Sequence, residues 1–442
     1  MAKSIRTRIN KSVSYFPILF VAVLFLMSAC TAPKKVLMAE APLQGAHIGI
    51  AVFNENTHQW VDRYQSDKYF TPASNTKIIS CYLGMKYLSD SLPGWRLAET
   101  ADSIFLLPLG DPSFLHPDFS FQPIVSLIAH TQKQVVLCTP TQPDAFASFG
   151  KGWSWDDFAE DYQPERARFN IYGNVLTVAK AKEGYTVKPS LLVKGTTQPS
   201  IQTIWSRDRY QNRFYATTKV NTDATETQQQ IPFITDPELT LAKQLLEDTL
   251  HPTLPIAIQH GFDFANSRIV KTVATDSLLK IMMNRSDNFF AEQMLLMTSE
   301  KLLGTIDEDK IIDTLLKTDF SFYPQKPQWA DGSGLSRFNL MTPENYVALL
   351  QKMESEYSLE RIKGIFAQGG KGSLSGYYKN IPGVLYAKTG TLGNRIAFSG
   401  YIITHKGTHL TFSVLVENHL SPRTYPVRHA VENYLTSIMK KY

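Results

Sequence analysis

The sequence predicts an α/β protein, more narrowly α+β, in which one sheet is assembled from the two ends of the chain. Three observations carry this. Near the N-terminus "HIGIAVFN" and "QWVDRYQSD" read as strands around the turn "ENTH". Near the C-terminus "RIAFSGYIITH" and "HLTFSVLVEN" alternate around "KGT" as a second hairpin. Between them, residues 91–262 have a different texture, with short strand-like runs broken by Pro, Gly and Asp.

The remaining elements follow in order. "PASNTKIISCYLGMKYL" has helical apolar spacing, with Leu83 and Tyr87 following Ile79 at intervals of four. Within the middle section "PELTLAKQLLEDTL" reads as a helix. "KTVATDSLLKIMMNRSDNFFAEQMLLMTSEKLL" is strongly helical, interrupted at the turn-favouring "NRSDN". "PVRHAVENYLTSIMKK" closes the chain as an amphipathic helix. The expected organisation is residues 46–90 together with 263–442 as one domain, with 91–262 as one or two inserted accessory domains.

Bulk properties narrow the function. A chain of 442 residues, 43% hydrophobic and 19% charged, is neither disordered nor polytopic. Its net charge of +5, with no basic stripe beyond the N-terminus, argues against nucleic acid as a partner. Residues 1–30 read as a signal: Lys3, Arg6, Arg8 and Lys11 precede the short apolar "YFPILFVAVLFLMSA", which ends at Cys30. Small residues before that cysteine resemble a bacterial lipoprotein signal, in which Cys30 carries the lipid, although Met27 stands where leucine is usual. A plain cleaved signal and an uncleaved anchor helix are the alternatives. Each takes the chain out of the cytoplasm, and residues 31–45 then form a tether. Cys81 and Cys138 sit in apolar runs and read as buried free thiols, with a disulfide as the alternative.

Three short stretches carry chemistry: Ser74 with Lys77 in "ASNTK", Ser286 with Asn288 in "RSDN", and Lys388-Thr389-Gly390 in "AKTGTL". Alone, each has a bland reading: Ser74 as a helix cap with Lys77 exposed beside it, "SDN" as a cap, "KTG" as a turn. In this order they form the motif set of penicillin-binding proteins and serine β-lactamases. The stretches "FTPASNTK", "GDPSF", "GWSWDDF", "SDNFFAEQ", "DGSGLSRFNLMTP" and "AKTGTLGNRIAFSGYI" sharpen the resemblance. With them the chain resembles the class C low-molecular-mass penicillin-binding proteins. These are the D-alanyl-D-alanine carboxypeptidase/endopeptidase family of the penicillin-binding protein 4 type. Departures are "PLGDP" for a glycine-rich approach and Gly372-Ser373-Leu374 for Gly-Thr-Leu.

The chemistry needs these residue types. A serine hydroxyl needs a base to become a nucleophile. Residues i and i+3 share a helix face, so Lys77 can reach Ser74. Burial and the nearby cation Lys388 are expected to lower the pKa of Lys77, the two lysines titrating as a pair.

The resemblance implies further roles. Backbone N–H groups of Ser74 and Thr391 form an oxyanion hole, Ser286 relays a proton to the leaving amine, and Asn288 holds Lys77 and the substrate amide. Lys388, Thr389 and Thr391 bind a terminal carboxylate. Trp153, Asp156, Leu335, Arg337, Gly390 and Leu392 line the substrate pocket. A salt bridge between Asp156 and Arg337, and a core position for Trp153, are the structural alternatives.

It also implies a β-lactamase/transpeptidase-like domain with a helical subdomain, no cofactor, peptidoglycan stem peptides as substrates and β-lactams as covalent inhibitors. The location implied is the cell envelope, the periplasm, with a lipid anchor to a membrane. A β-lactamase and a catalytically weak wall-binding sensor are the rival readings. No dedicated base for deacylating water is identifiable. Metal and glycosidase chemistry find no support: His405 and His409 flank a hairpin turn, and Asp156 and Asp157 are adjacent.

Overall fold

The computed structural model describes residues 37–182, 185–193, 203–218, 228–381 and 383–442. The expected signal, with Cys30, lies outside them, as do residues 31–36 of the expected tether. From Leu37 that tether is instead part of the fold. Leu37 and Leu43 are apolar enough to bury, at 1% and 2% exposed, in the core on one face of the main sheet.

The elements run in chain order from the hairpin β1 (His47–Asn54) and β2 (Gln59–Tyr64) to helix α1 (Lys77–Tyr87). Next come β3 (Ser91–Glu99), β4 (Ser103–Pro108), α2 (Pro123–His130) and β5 (Gln134–Cys138). Five short strands follow: β6 (Val175–Lys180), β7 (Tyr185–Lys188), β8 (Thr203–Arg207), β9 (Phe214–Thr218) and β10 (Gln228–Pro232). Then come α3 (Thr240–Leu250), β11 (Ala257–Gln259), β12 (Arg268–Ala274), α4 (Thr275–Ile281) and α5 (Asn288–Leu303). Helices α6 (Glu308–Lys317), α7 (Pro343–Glu356) and α8 (Leu359–Ile365) precede β13 (Ala367–Gln368), β14 (Gly383–Leu392), β15 (Arg395–Thr404) and β16 (His409–Glu417). Helix α9 (Thr424–Lys441) ends the chain.

The main sheet has the order β13-β14-β15-β16-β1-β2 and is antiparallel at every pairing. The two chain ends meet at β1 and β16, paired from His47–Glu417 to Asn54–Leu410. Strand β15 is buried almost throughout because it is covered on both faces. Ala397 and Tyr401 join a core with α1, α5 and α7, while Ile396, Phe398 and Ile402 join a core with α9.

Helix α5 is buried from Phe289 to Glu300: its apolar residues pack into the core, and its buried Glu292 and Glu300 are paired with arginines. Its ends are fixed locally. The Asp287 side chain accepts from Phe290 N–H at 2.9 Å, and Gly304 closes the helix at φ 70°.

A second sheet, β11-β5-β4-β3-β12, is mixed, with β11, β5 and β4 parallel. Its last strand, β12, lies beyond residue 262, so this sheet extends past the expected end of the inserted section. Smaller sheets join β10-β6-β7 and β8-β9. Two buried arginines tie this part of the chain to the helices. Arg166 pairs with Glu292 on α5 (3.1 Å) and with Glu308 on α6, and Arg168 pairs with Asp144 and with Glu300 on α5 (2.9 Å). Cys81, in the core around α1, and Cys138, at the end of β5, are buried free thiols, and burial raises the pKa of each.

Candidate active site

Ser74 lies in a single 3-10 turn, Ala73–Thr76, that leads into α1. The turn enters through Ala73 at φ 48°, a left-handed conformation that costs a residue with a Cβ about 1–2 kcal/mol. Ser74 caps nothing; its hydroxyl instead accepts a hydrogen bond from Lys77 Nζ at 2.9 Å. Lys77 is 0% exposed, so the bland reading of a capping serine beside a solvated lysine fails on both counts.

The same amine donates to Asn288 Oδ1 and, at 2.8 Å, to the Ser333 carbonyl. Three acceptors match the three N–H groups of an ammonium.

The second stretch lies where α4 runs through one π-helical turn, Met282–Ser286, into α5. Ser286 ends that turn at φ 65°, and its hydroxyl accepts from Lys388 Nζ at 2.8 Å. Asn288 starts α5 and donates to the Tyr162 carbonyl at 2.8 Å, which brings the loop after Trp153 to the rim of the site.

The third stretch is on β14. Strand β13 pairs with Tyr386 and Ala387, and among the described residues the outer edge from Lys388 to Leu392 has no strand partner. A two-residue turn, Gly393 and Asn394, closes on the pair Leu392–Arg395. The closing pair of such a hairpin is hydrogen-bonded, so at the next position, Thr391, the backbone N–H faces away from β15. Leu385 has the same parity, and its carbonyl accepts from Gly369 N–H on that outer side at 2.9 Å.

Gly390 lets the strand touch the serine turn. A Cβ there would sit 2.8 Å from the Pro72 carbonyl oxygen and 2.9 Å from Ser74 N. Buried Asn75 fastens the two. With its amide donating to the Lys388 carbonyl (2.8 Å) and accepting from the Ser399 hydroxyl (2.7 Å), both its ends are satisfied.

The loop Asp331–Arg337 closes the site from a fourth side. Asp331 accepts from Gly334 N–H, Ser336 N–H, Asn339 Nδ2 and Trp153 Nε1, at 2.6–2.9 Å. Gly334 (φ 85°) lies so close that a Cβ would fall 1.9 Å from the Ala73 carbonyl oxygen. Glu292 accepts from Ser333 N–H at 2.7 Å, and Ser333 in turn presents its carbonyl to Lys77.

The electrostatics differ from expectation in one respect. Burial lowers the pKa of Lys77 to about 8, while the carboxylates of Asp331, Glu292 and Asp287 hold it up. The cationic neighbours weigh instead on Lys388, pushed well below its usual value by burial, then by Lys77 and Arg428. The physical reason is position: Lys77 lies among acids and Lys388 between two cations. Burial also raises Glu292 to about 7, with Asp331 adding to the effect.

Five expected residues thus come together as two neighbouring hydrogen-bonded groups, Ser74, Lys77 and Asn288 in one and Ser286 and Lys388 in the other, near enough for the Lys77 charge to bear on Lys388, with Thr389 and Gly390 beside them. Trp153 is neither free in the cleft nor core. It is half-buried, bonded to Asp331, with the Arg166 guanidinium 5.4 Å from its ring. Leu335 and Leu392 are half-buried. Arg337 is exposed, its N–H reaching the Gly152 carbonyl at 3.3 Å. Asp156 is exposed on a one-turn 3-10 helix and forms no ion pair with Arg337 among the described residues.

Sequence reasoning passed over Asn75, Glu292, Ser333 and Arg428. Asn75 and Glu292 lie inside quoted motifs, where their burial was the missing signal. Arg428 reaches Thr391 Oγ1 from α9 at 2.6 Å, and nothing in its own neighbourhood marks it.

The D-Ala-D-Ala carboxypeptidase 3 (S13) family matches residues 34–437 of the sequence. In structure the chain is similar to penicillin-binding protein 4 of Haemophilus influenzae: TM-score 0.71, 16% identity, covering 93% of this chain and 99% of that one. A predatory peptidoglycan endopeptidase of Bdellovibrio bacteriovorus is similar at TM-score 0.52 and 14% identity, covering 90% and 93%. At these identities the likeness shows a shared fold. None of the curated proteins is similar enough in sequence to count as a relative.

The contact at Gly390 yields a test. Gly390→Ala should force β14 off the serine turn and slow acylation by a labelled penicillin by at least about tenfold, with a thermal midpoint within a few degrees of wild type. Acylation at the wild-type rate would show that the close approach is not needed.

Proposed function

The chain belongs to the D-Ala-D-Ala carboxypeptidase 3 (S13) family, and we propose that it cuts peptidoglycan stem peptides through an acyl-enzyme on Ser74. It is a serine-type DD-peptidase of the cell wall; the residue roles that follow are our reading. The observation that carries them is the buried Lys77 amine, hydrogen-bonded to both Ser74 Oγ and Asn288 Oδ1.

In this reading Ser74 Oγ adds to the carbonyl carbon of the penultimate D-alanine, and its proton passes to Lys77 Nζ. Negative charge develops on the carbonyl oxygen, which the N–H groups of Ser74 and Thr391 receive; one such donor is worth about 3 kcal/mol. The C–N bond breaks, and the leaving amine takes a proton by way of Ser286, itself held by Lys388. Water then hydrolyses the ester and restores Ser74.

Asn288 orients Lys77 and the substrate amide. Lys388, Thr389 and Thr391 receive the carboxylate beside the scissile bond. The pocket for the stem-peptide side chain is formed by Trp153, Asp156, Leu335, Arg337 and Leu392, while Gly390 contributes to the substrate-binding strand. A β-lactam enters by the same attack, but its leaving group stays tethered.

The N-terminal signal supports export, and a lipid on Cys30 supports retention at a membrane. Among the described residues no helix is long and apolar enough to cross one.

Two outcomes are expected. Labelled penicillin should add once, as read by intact-protein mass spectrometry, and persist through washing. Ser74→Ala should neither label nor cut defined muropeptides. Equal labelling of the variant would overturn the assignment, and rapid release of the adduct would favour a β-lactamase. For the anchor, Cys30→Ser should lose palmitate incorporation and leave the membrane fraction or remain unprocessed. Unchanged lipidation would refute it.

A further inference from the structure

Helix α9 lies on the sheet, well away in sequence from every motif, yet one of its side chains ends at the reacting edge. Arg428 Nη2 donates to Thr391 Oγ1 at 2.6 Å. Its guanidinium carbon lies 5.6 Å from the centre of the Tyr377 ring, which holds the group in place.

Its Nε is buried and bonded to nothing. Among the described residues no carboxylate lies within ion-pair distance of it. The nearest candidate by sequence, Glu432 one turn further on, is taken up by Tyr378 N–H and His429. Only Nε is shut off from water; the rest of the half-exposed guanidinium faces solvent beside Thr391, where an arriving anion can reach its charge. Its charge also bears on the site, since Arg428 is one of the two cations that lower the pKa of Lys388.

We propose that Arg428 is a specificity-determining residue: it selects substrates that carry a free carboxylate on the residue leaving with the scissile amide. This rests on the DD-peptidase reading and deepens it. By donating to Thr391 Oγ1, Arg428 leaves the Thr391 hydroxyl proton free to point outward as a donor. A carboxylate arriving there meets that hydroxyl, the guanidinium charge and Lys388 together. It also supplies the anion that the cluster lacks, so the ammonium form of Lys388 is favoured when substrate binds. The terminal D-alanine presents such a carboxylate, and a C-terminal amide does not.

The test compares a peptide ending in D-Ala-D-Ala with its C-terminal carboxamide, on the full chain, for wild type, Arg428→Gln and Arg428→Lys. Wild type should prefer the carboxylate by about 10- to 100-fold in kcat/KM. Arg428→Gln should cut that ratio at least about fivefold by losing turnover of the carboxylate peptide, with the remainder due to Lys388, Thr389 and Thr391. Arg428→Lys should recover part of the ratio, because charge remains while the fork geometry is lost.

A ratio in Arg428→Gln equal to that of wild type overturns the proposal. So does a loss of equal size on both peptides, which would mark Arg428 as structural. Wild type that turns over neither peptide overturns the DD-peptidase reading, and this proposal with it.

Discussion

An amine shut off from water organises this molecule. Lys77 Nζ has no solvent to accept its protons, and it finds acceptors on three separate parts of the chain: Ser74 one turn away, Asn288 at the start of α5 and Ser333 in the Asp331 loop. An unpaired buried charge costs several kcal/mol, so the three segments are held where they keep that amine satisfied. The same burial lowers the pKa of the amine and makes its proton removable, which is what a base for Ser74 requires.

The fold supplies each acceptor from rigid structure. Helix α5 is buried from Phe289 to Glu300 and tied by Glu292 and Glu300 to Arg166 and Arg168, so Asn288 starts from a fixed point. Strand β14 is held on one side by β15, while the edge from Lys388 to Leu392 stays open for an extended peptide. Strain at Ala73 and Ser286 lies at the two serines of the cluster, where left-handed backbone turns their hydroxyls toward the lysines. The two lysines have oppositely composed surroundings, acids around Lys77 and cations around Lys388, which fits the proposed division in which Lys77 exchanges a proton and Lys388 meets an anion.

What the sequence revealed depended on how local the information was. The two hairpins and helices α1, α5 and α9 were legible because their apolar periods match a single covered face or a fully covered core. The motif triplets were legible because each packs its chemistry into three or four residues. The segment from Leu37 was misread as tether because two leucines among small and charged residues give no period, and only the face they cover explains them. Strand β12 escaped because its alternation is weak, and its pairing with β3 spans some 170 residues of chain. Asn75 and Glu292 look like ordinary polar residues until their burial is known. Arg428 is invisible to any local reading, since only the pairing of β14, β15 and β16 carries α9 across to Thr391.

The central claim is that neutral Lys77 takes the proton from Ser74. Its most direct test is the rate of β-lactam acylation against pH, for wild type and Lys77→Arg. The neutral fraction of a base grows as pH rises through its pKa. The wild-type rate should therefore climb with pH, bend near an apparent pKa of about 8 and level off above it. Lys77→Arg should be nearly inactive throughout, because guanidinium stays charged. A wild-type rate independent of pH from 6 to 10, or a Lys77→Arg rate comparable to wild type, would contradict the account.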